Sequence, residues 1–244
     1  MSTPILTRFL VASSLFGLAV SAAMTLHPQP GSTDPILRKT LIGLAFSAIC
    51  VLGAIAAFRP GPCSRLARFR EGVSLPAQAN GSVEGVKTEG HHPCCGVFRA
   101  HVLSIRGRAL CAGCVGLSIG GLAAFAGAIL YFFGNSDILG HGLLPFWFGA
   151  LAVTVGLLQF WPLGLDQRAL RFLANASFAF GAFLVVAKVD QLSQSLAVDL
   201  FVLLLVGLWI LTRIALSNWN HQRICASCTT PCGWQAWGKM LSDF

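Results

Sequence analysis

The sequence predicts an all-α fold, a polytopic transmembrane bundle of about six helices, and four observations predict it. Mean hydropathy is +0.71. Only 11% of the 244 residues are charged, where a soluble domain carries about 25%. Apolar stretches of about 20 residues, the length that crosses a bilayer, recur along the chain. Lys and Arg fall very unevenly between alternate connections.

Six stretches meet the length requirement, at roughly Ile5–Met24, Thr40–Phe58, Cys114–Phe133, Leu143–Trp161, Arg171–Val189 and Leu196–Leu216. The first has Arg8 near its start and small residues at Ser21, Ala22 and Ala23. Those are signal-peptide features, but a signal has a shorter apolar core close to its basic end. It is therefore read as a retained helix. With a cytoplasmic N-terminus, fourteen of the 17 basic residues lie on the inner side and three, Arg38, Lys39 and Lys188, on the outer. Positive charge resists translocation, so the bias places both termini in the cytoplasm of a multi-pass cell-membrane protein. Trp147 and Trp161 bracket the fourth stretch, where amphipathic rings favour the two interfaces.

Domain organisation follows. Residues 1–58 hold two helices, 59–110 a cytoplasmic loop, 111–217 four helices, and 218–244 a Cys-rich tail whose end, from Cys232, suits a short helix lying on the inner surface. Within the loop, residues 71–90 are rich in Gly, Ser and Ala and read as a flexible linker. Residues 91–110 are dense in His, Cys and Arg.

The net charge of +8 points to anionic headgroups and topology rather than nucleic acid, because no basic run is interleaved with aromatics. The bilayer is the one expected partner, and no protein partner or oligomer is specified. P-loop, G-x-S-x-G, H-E-x-x-H and dinucleotide motifs are missing, so a non-enzymatic role is favoured. No buried carboxylate series and no inverted repeat is legible, which disfavours transport.

The nine cysteines carry the functional signal. Cys50 lies inside the second helix, and the other eight all fall in cytoplasmic segments. That compartment is reducing, so thiolate metal ligation leads over disulfides. Cys111-Ala-Gly-Cys114 and Cys225-Ala-Ser-Cys228 are two C-x2-C pairs. A short turn brings two thiolates to a common point about 2.3 Å from a zinc ion. His91, His92, Cys94, Cys95 and His101 precede the first pair, while His221 and Cys232 flank the second. His221, Cys225, Cys228 and Cys232 share one helical face, with Pro231 breaking the helix before the last. The set exceeds one tetrahedral zinc, so two sites, or one site plus reactive thiols, are open. The metal ligand set is therefore Cys94, Cys95, Cys111, Cys114, Cys225, Cys228, Cys232, His91, His92 and His221, with zinc the expected cofactor. Three alternatives stay open: scattered apolar cysteines, an iron–sulfur cluster, and a redox thiol pair at a helix N-terminus. A metal sensor or carrier is a further reading.

The stretch Cys95–Leu122 resembles a family of small prokaryotic multi-pass membrane proteins known as a domain of unknown function. Its pattern is C-H-Q or C-H-G, an Arg, a basic R-G-R stretch, C-A-R-C-x-G and a glycine-rich helix. Cys95, Arg99, Arg106-Gly107-Arg108, Cys111, Cys114, Gly116 and Gly120 match. Gly96 stands where the family has His, and Gly113 where it has Arg. Gly164 to Gln167, with Arg171 and Asn175, looks like the family's second signature. The resemblance covers residues 94–190 and implies a membrane fold and a cysteine site, without an activity. The C-terminal cysteines lie beyond it.

Other residues have simpler readings. Gly116, Gly120, Gly121 and Gly127 give the third helix a smooth packing face. Gln159, Asn175 and Lys188 are polar within apolar stretches, and Asp190 and Asp199 flank outer helix ends. Lys188 reads as snorkelling to the interface. Asp166, Arg168 and Arg171 stand at the inner surface, within reach of the cysteine region.

Overall fold

The computed structural model describes residues 4–26, 34–58, 101–105, 108–134, 138–160 and 167–226. They form six α-helices and one hairpin. The helices are α1 Pro4–Leu26, α2 Pro35–Phe58, α3 Ala112–Ala128, α4 Leu144–Leu158, α5 Arg168–Ser193 and α6 Leu196–Ala226. A π-helical turn, Ile129–Phe133, continues α3. All except α4 are long and apolar enough to cross a membrane. The protein is an all-α membrane bundle.

Local chemistry sets the ends. Asp34 accepts a hydrogen bond from the Ile36 amide at 2.9 Å and caps α2, and Pro35 needs no donor in that first turn. Gln194 closes α5 in the left-handed region, with φ of 49°, and its amide reaches Asp190 O at 3.1 Å. Only Gln194 and Ser195 separate α5 from α6.

Contacts fix the directions. Gly43 of α2 meets Phe132 at the end of α3, while Cys50 lies by Gly121, so these two helices are antiparallel. Gly116, Gly120 and Gly127 face Phe172, Ala176 and Phe183 in ascending order, so α3 and α5 are parallel. Gly149 and Gly156 of α4 meet Gly181 and Phe178 in descending order. Ser14 bonds Thr212 and Gly17 meets Leu205, which sets α1 against α6. The six helices thus alternate up and down. α5 is the most buried, packed between α3, α4 and α6.

The outward faces carry Phe16, Ile36, Leu52, Leu122 and Leu204, all well exposed. Lipid is as apolar as these side chains, so the bundle depends on close packing and interhelical hydrogen bonds. The glycine stripe supplies the close approach. A methyl group at Gly116 or Gly120 would run into the backbone carbonyls of Phe172 and Ala176. Gly121 points elsewhere, towards α2.

Four differences from the sequence reading have physical causes. α4 spans 15 residues, about 22 Å at 1.5 Å per residue, shorter than the run Leu143–Trp161. It ends at Gln159, whose side-chain amide turns back to Gly156 O at 2.6 Å. α6 continues ten residues past Leu216 to Ala226, because polar Asn-Trp-Asn-His-Gln-Arg sequence is compatible with helix even though it is not apolar. Residues 102–111, read as loop, form a β-hairpin of β1 Val102–Ile105 and β2 Arg108–Cys111, paired Val102 to Cys111. Lys188 does not snorkel. It is fully buried and donates to Gly140 O at 2.7 Å and Gln191 Oε1 at 2.6 Å.

Candidate functional site

The hairpin delivers Cys111 directly to α3. Its backbone is extended, with φ of −68° and ψ of 121°, and it occupies the N-cap position. Cys114 is the third residue of the helix. A C-x2-C pair at this place lies among the unsatisfied amides and positive dipole end of α3. Both thiols are half-buried and neither is in a disulfide.

A second layer lies beneath the turn. Arg213 of α6 donates to Asn175 Oδ1 through Nε at 2.9 Å and Nη2 at 2.6 Å. Asn175 of α5 donates in turn to Gln159 Oε1 at 2.9 Å and to Arg171 O. Arg171 Nη1 lies 3.2 Å from His101 Nδ1, in the residue just before the hairpin. The two guanidiniums share one aromatic ring, Phe160, with Arg213 at 4.5 Å and Arg171 at 5.7 Å from its centre. Gly113, between the two cysteines, packs on this layer: a Cβ there would lie 3.4 Å from both Arg213 Nη2 and Asn175 Nδ2. Arg213 is within electrostatic reach of both sulfurs. The C-x2-C turn therefore rests on a buried, positively charged platform built by α4, α5 and α6.

Of the ten expected metal ligands, Cys111 and Cys114 are the two whose side chains are described. His221 and Cys225 lie in the last turns of α6 by their backbone, and their side chains are outside the described residues. His91, His92, Cys94, Cys95, Cys228 and Cys232 also lie outside them, as do Asp166 and the linker 71–90. Among the described residues no three His, Cys, Asp or Glu side chains gather as a metal-binding group.

Arg213 is the contributor that sequence reading passes over, counted only as a charge at the end of an apolar stretch. One signal was available: a charged residue inside a spanning helix is a functional candidate by default. His101 was weighed as a ligand, and the structure directs its Nδ1 to Arg171.

A second polar cluster stands at the opposite end of the bundle. Arg38 Nη1 of α2 bridges Asp190 of α5 and Asp199 of α6, the latter at 2.7 Å. Tyr131, in the π-turn after α3, donates to the other oxygen of Asp190 at 2.8 Å. The sequence reading saw no buried set of carboxylates, yet Asp190 and Asp199 are both buried together here. Nine positions apart, they flank a two-residue turn symmetrically, which no linear hydropathy profile reveals.

No protein-family model, no curated protein and no solved structure matches this chain.

Proposed function

We propose that the protein is a multi-pass membrane protein, with both termini in the cytoplasm, whose functional centre is the Cys111/Cys114 pair used as thiolates to ligate a thiophilic metal ion, zinc first. The observation that carries this reading is the placement of the pair at the positive end of α3 over the Arg213–Asn175 platform. Metal ligation needs the thiolate, and a dipole end with a neighbouring guanidinium favours that form. Zinc takes four ligands in a structural site. Cys94, Cys95, His91 and His92 precede the hairpin in the chain, and Cys225, Cys228, Cys232 and His221 belong to the end of α6 and beyond. These supply the remaining ligands in the proposal, and the metal then ties the hairpin to the C-terminal segment. The role is mainly structural, clamping α3 to α6, and no chemical transformation is assigned.

The test is elemental analysis of protein purified without oxygen. About one zinc per chain or more is expected, and the paired C111S/C114S substitution should abolish or halve it. Metal-free wild-type protein with fully reactive thiols would sink the reading.

A second reading, a membrane dithiol redox protein, is favoured by the same helix N-terminal position, where an ionised thiol becomes a good nucleophile. It predicts metal-free protein in which Cys111 and Cys114 cycle between dithiol and disulfide with a quinone or a small dithiol protein. A brown preparation would instead mark an iron–sulfur cluster.

A further inference from the structure

The cluster at the far end of the bundle has a charge imbalance. Asp190 and Asp199 are each less than 2% exposed, and Arg38, at 3%, contacts both through the same nitrogen, Nη1. One guanidinium thus faces two carboxylates held within a few ångströms of one another. Lys188 directs its ammonium to Gly140 O and Gln191, and Lys39 stands 5.1 Å above the Tyr131 ring, on α2 beside Arg38. Among the described residues, the salt bridges of Asp190 and Asp199 are those to Arg38. With both carboxylates ionised, the triad would carry one excess negative charge in a buried place, which is expensive. Two carboxylates close together meet this cost by sharing one proton between them.

The hydrogen bonds are unequal in a way that independently points to a ligand. Asp190 is held as an anion would be, by Arg38 and by the Tyr131 hydroxyl. Asp199 receives Arg38 on Oδ2 alone, and its Oδ1 is buried with no hydrogen-bond partner among the described residues. An unpartnered carboxylate oxygen beside a second carboxylate is a place for a proton. Access also exists. A cavity of about 370 Å³ lies between the first turns of α2 and the π-turn, lined by Lys39, Thr40, Tyr131 and Phe132 among others. Tyr131 thus lines the cavity and also places its hydroxyl on Asp190.

We propose that Asp190, Asp199 and Arg38 form a proton-binding site that holds one proton between the two carboxylates, centred on Asp199 and reached from this cavity past the Tyr131 hydroxyl. Binding transfers a proton from a hydronium ion in the cavity to the carboxylate pair and leaves water. The site is separate from the thiol pair, which stands at the other end of α3.

The test is infrared difference spectroscopy on the full-length protein in lipid nanodiscs, with ¹³C-carboxyl aspartate as the label. The wild type should show one isotope-sensitive carbonyl stretch of a protonated carboxylic acid at neutral pH. Both D199N and D190N should lose it, because either leaves one carboxylate for one guanidinium. Y131F should keep the band and slow its downshift on transfer to D2O by tenfold or more. No isotope-sensitive protonated-acid band in the wild type would overturn the proposal, whether or not the variants fold. So would a band that survives in both folded asparagine variants. A wild type lacking the band whose melting temperature rises with sodium concentration would assign the site to a metal cation, and would equally overturn it.

Discussion

Arg213 and Asn175 meet through two hydrogen bonds to one oxygen, Nε at 2.9 Å and Nη2 at 2.6 Å from Asn175 Oδ1. This contact joins α6 to α5 directly beneath Gly113, one of the two residues between the cysteines. A surface pair would contribute little, but here donor and acceptor are both buried. Leaving either unsatisfied costs about 1–3 kcal/mol. The same pairing holds the guanidinium against Gly113, between the two thiols.

R213Q should therefore do two things. It should lower thermal stability, and it should weaken metal binding at Cys111/Cys114 by roughly tenfold or more, the usual scale for a residue that tunes ligands without touching the metal. Competition with a chromophoric chelator measures the affinity. An unchanged affinity in a folded R213Q protein would show that the guanidinium does not act on the sulfurs.

The glycine stripe makes a positional prediction. G116A and G120A place a methyl group against the carbonyls of Phe172 and Ala176, and rigid backbone cannot yield as a side chain would. Overpacking of this kind costs about 1–3 kcal/mol. Gly53 has nothing within 4 Å of its would-be Cβ, so G53A should stay within about 0.5 kcal/mol of wild type. Unfolding in mixed micelles by a denaturing detergent compares the three. Equal costs at Gly116 and Gly53 would contradict the α3–α5 packing described above.

Gln194 is the non-glycine residue with positive φ among the described residues. A left-handed conformation costs an L-residue about 1–2 kcal/mol, and glycine avoids it. Glycine also loses about 0.4–1 kcal/mol through the freer unfolded chain. Q194G should then be neutral to slightly stabilising, by up to about 1 kcal/mol, read as a higher melting temperature. A clear destabilisation would mean that the Gln194 side chain holds the α5–α6 turn by contacts of its own.

The α1–α6 seam rests on polar contacts. Ser14 Oγ and Thr212 Oγ1 are 2.8 Å apart, and Trp209 Nε1 donates to Ser14 O at 3.2 Å. Interhelical hydrogen bonds in membranes average about 0.6 kcal/mol, whereas truncating a fully buried Trp costs about 3–5 kcal/mol. S14A should be mild and W209A severe. A double-mutant cycle of Ser14→Ala with Thr212→Val should return a coupling of about 0.6 kcal/mol. A coupling near zero would place the seam's stability in packing alone.

How much of this was legible beforehand depends on the range over which each feature is written. The sequence by itself determined the helical membrane bundle, because lipid admits few backbone solutions and each helix must satisfy its own hydrogen bonds. Hydropathy is local, so Ile5, Phe16 and Leu204 report their solvent without reference to the fold. It also determined that Cys111 and Cys114 open a helix as a spaced pair. The tertiary structure alone decided which polar residues meet. Asp190 and Asp199 find Arg38 across 152 and 161 positions of chain, and Arg213 finds Asn175 across 38. Such partners are chosen by helix direction, rotation and the close approach that glycines permit, none of which has a one-dimensional period. The hairpin before α3 escaped notice for the related reason that its strands are four residues long, too short for alternation to show. The physical rule is the same in each case: solvent selects the elements residue by residue, whereas burial of a charge is settled only by what packs against it.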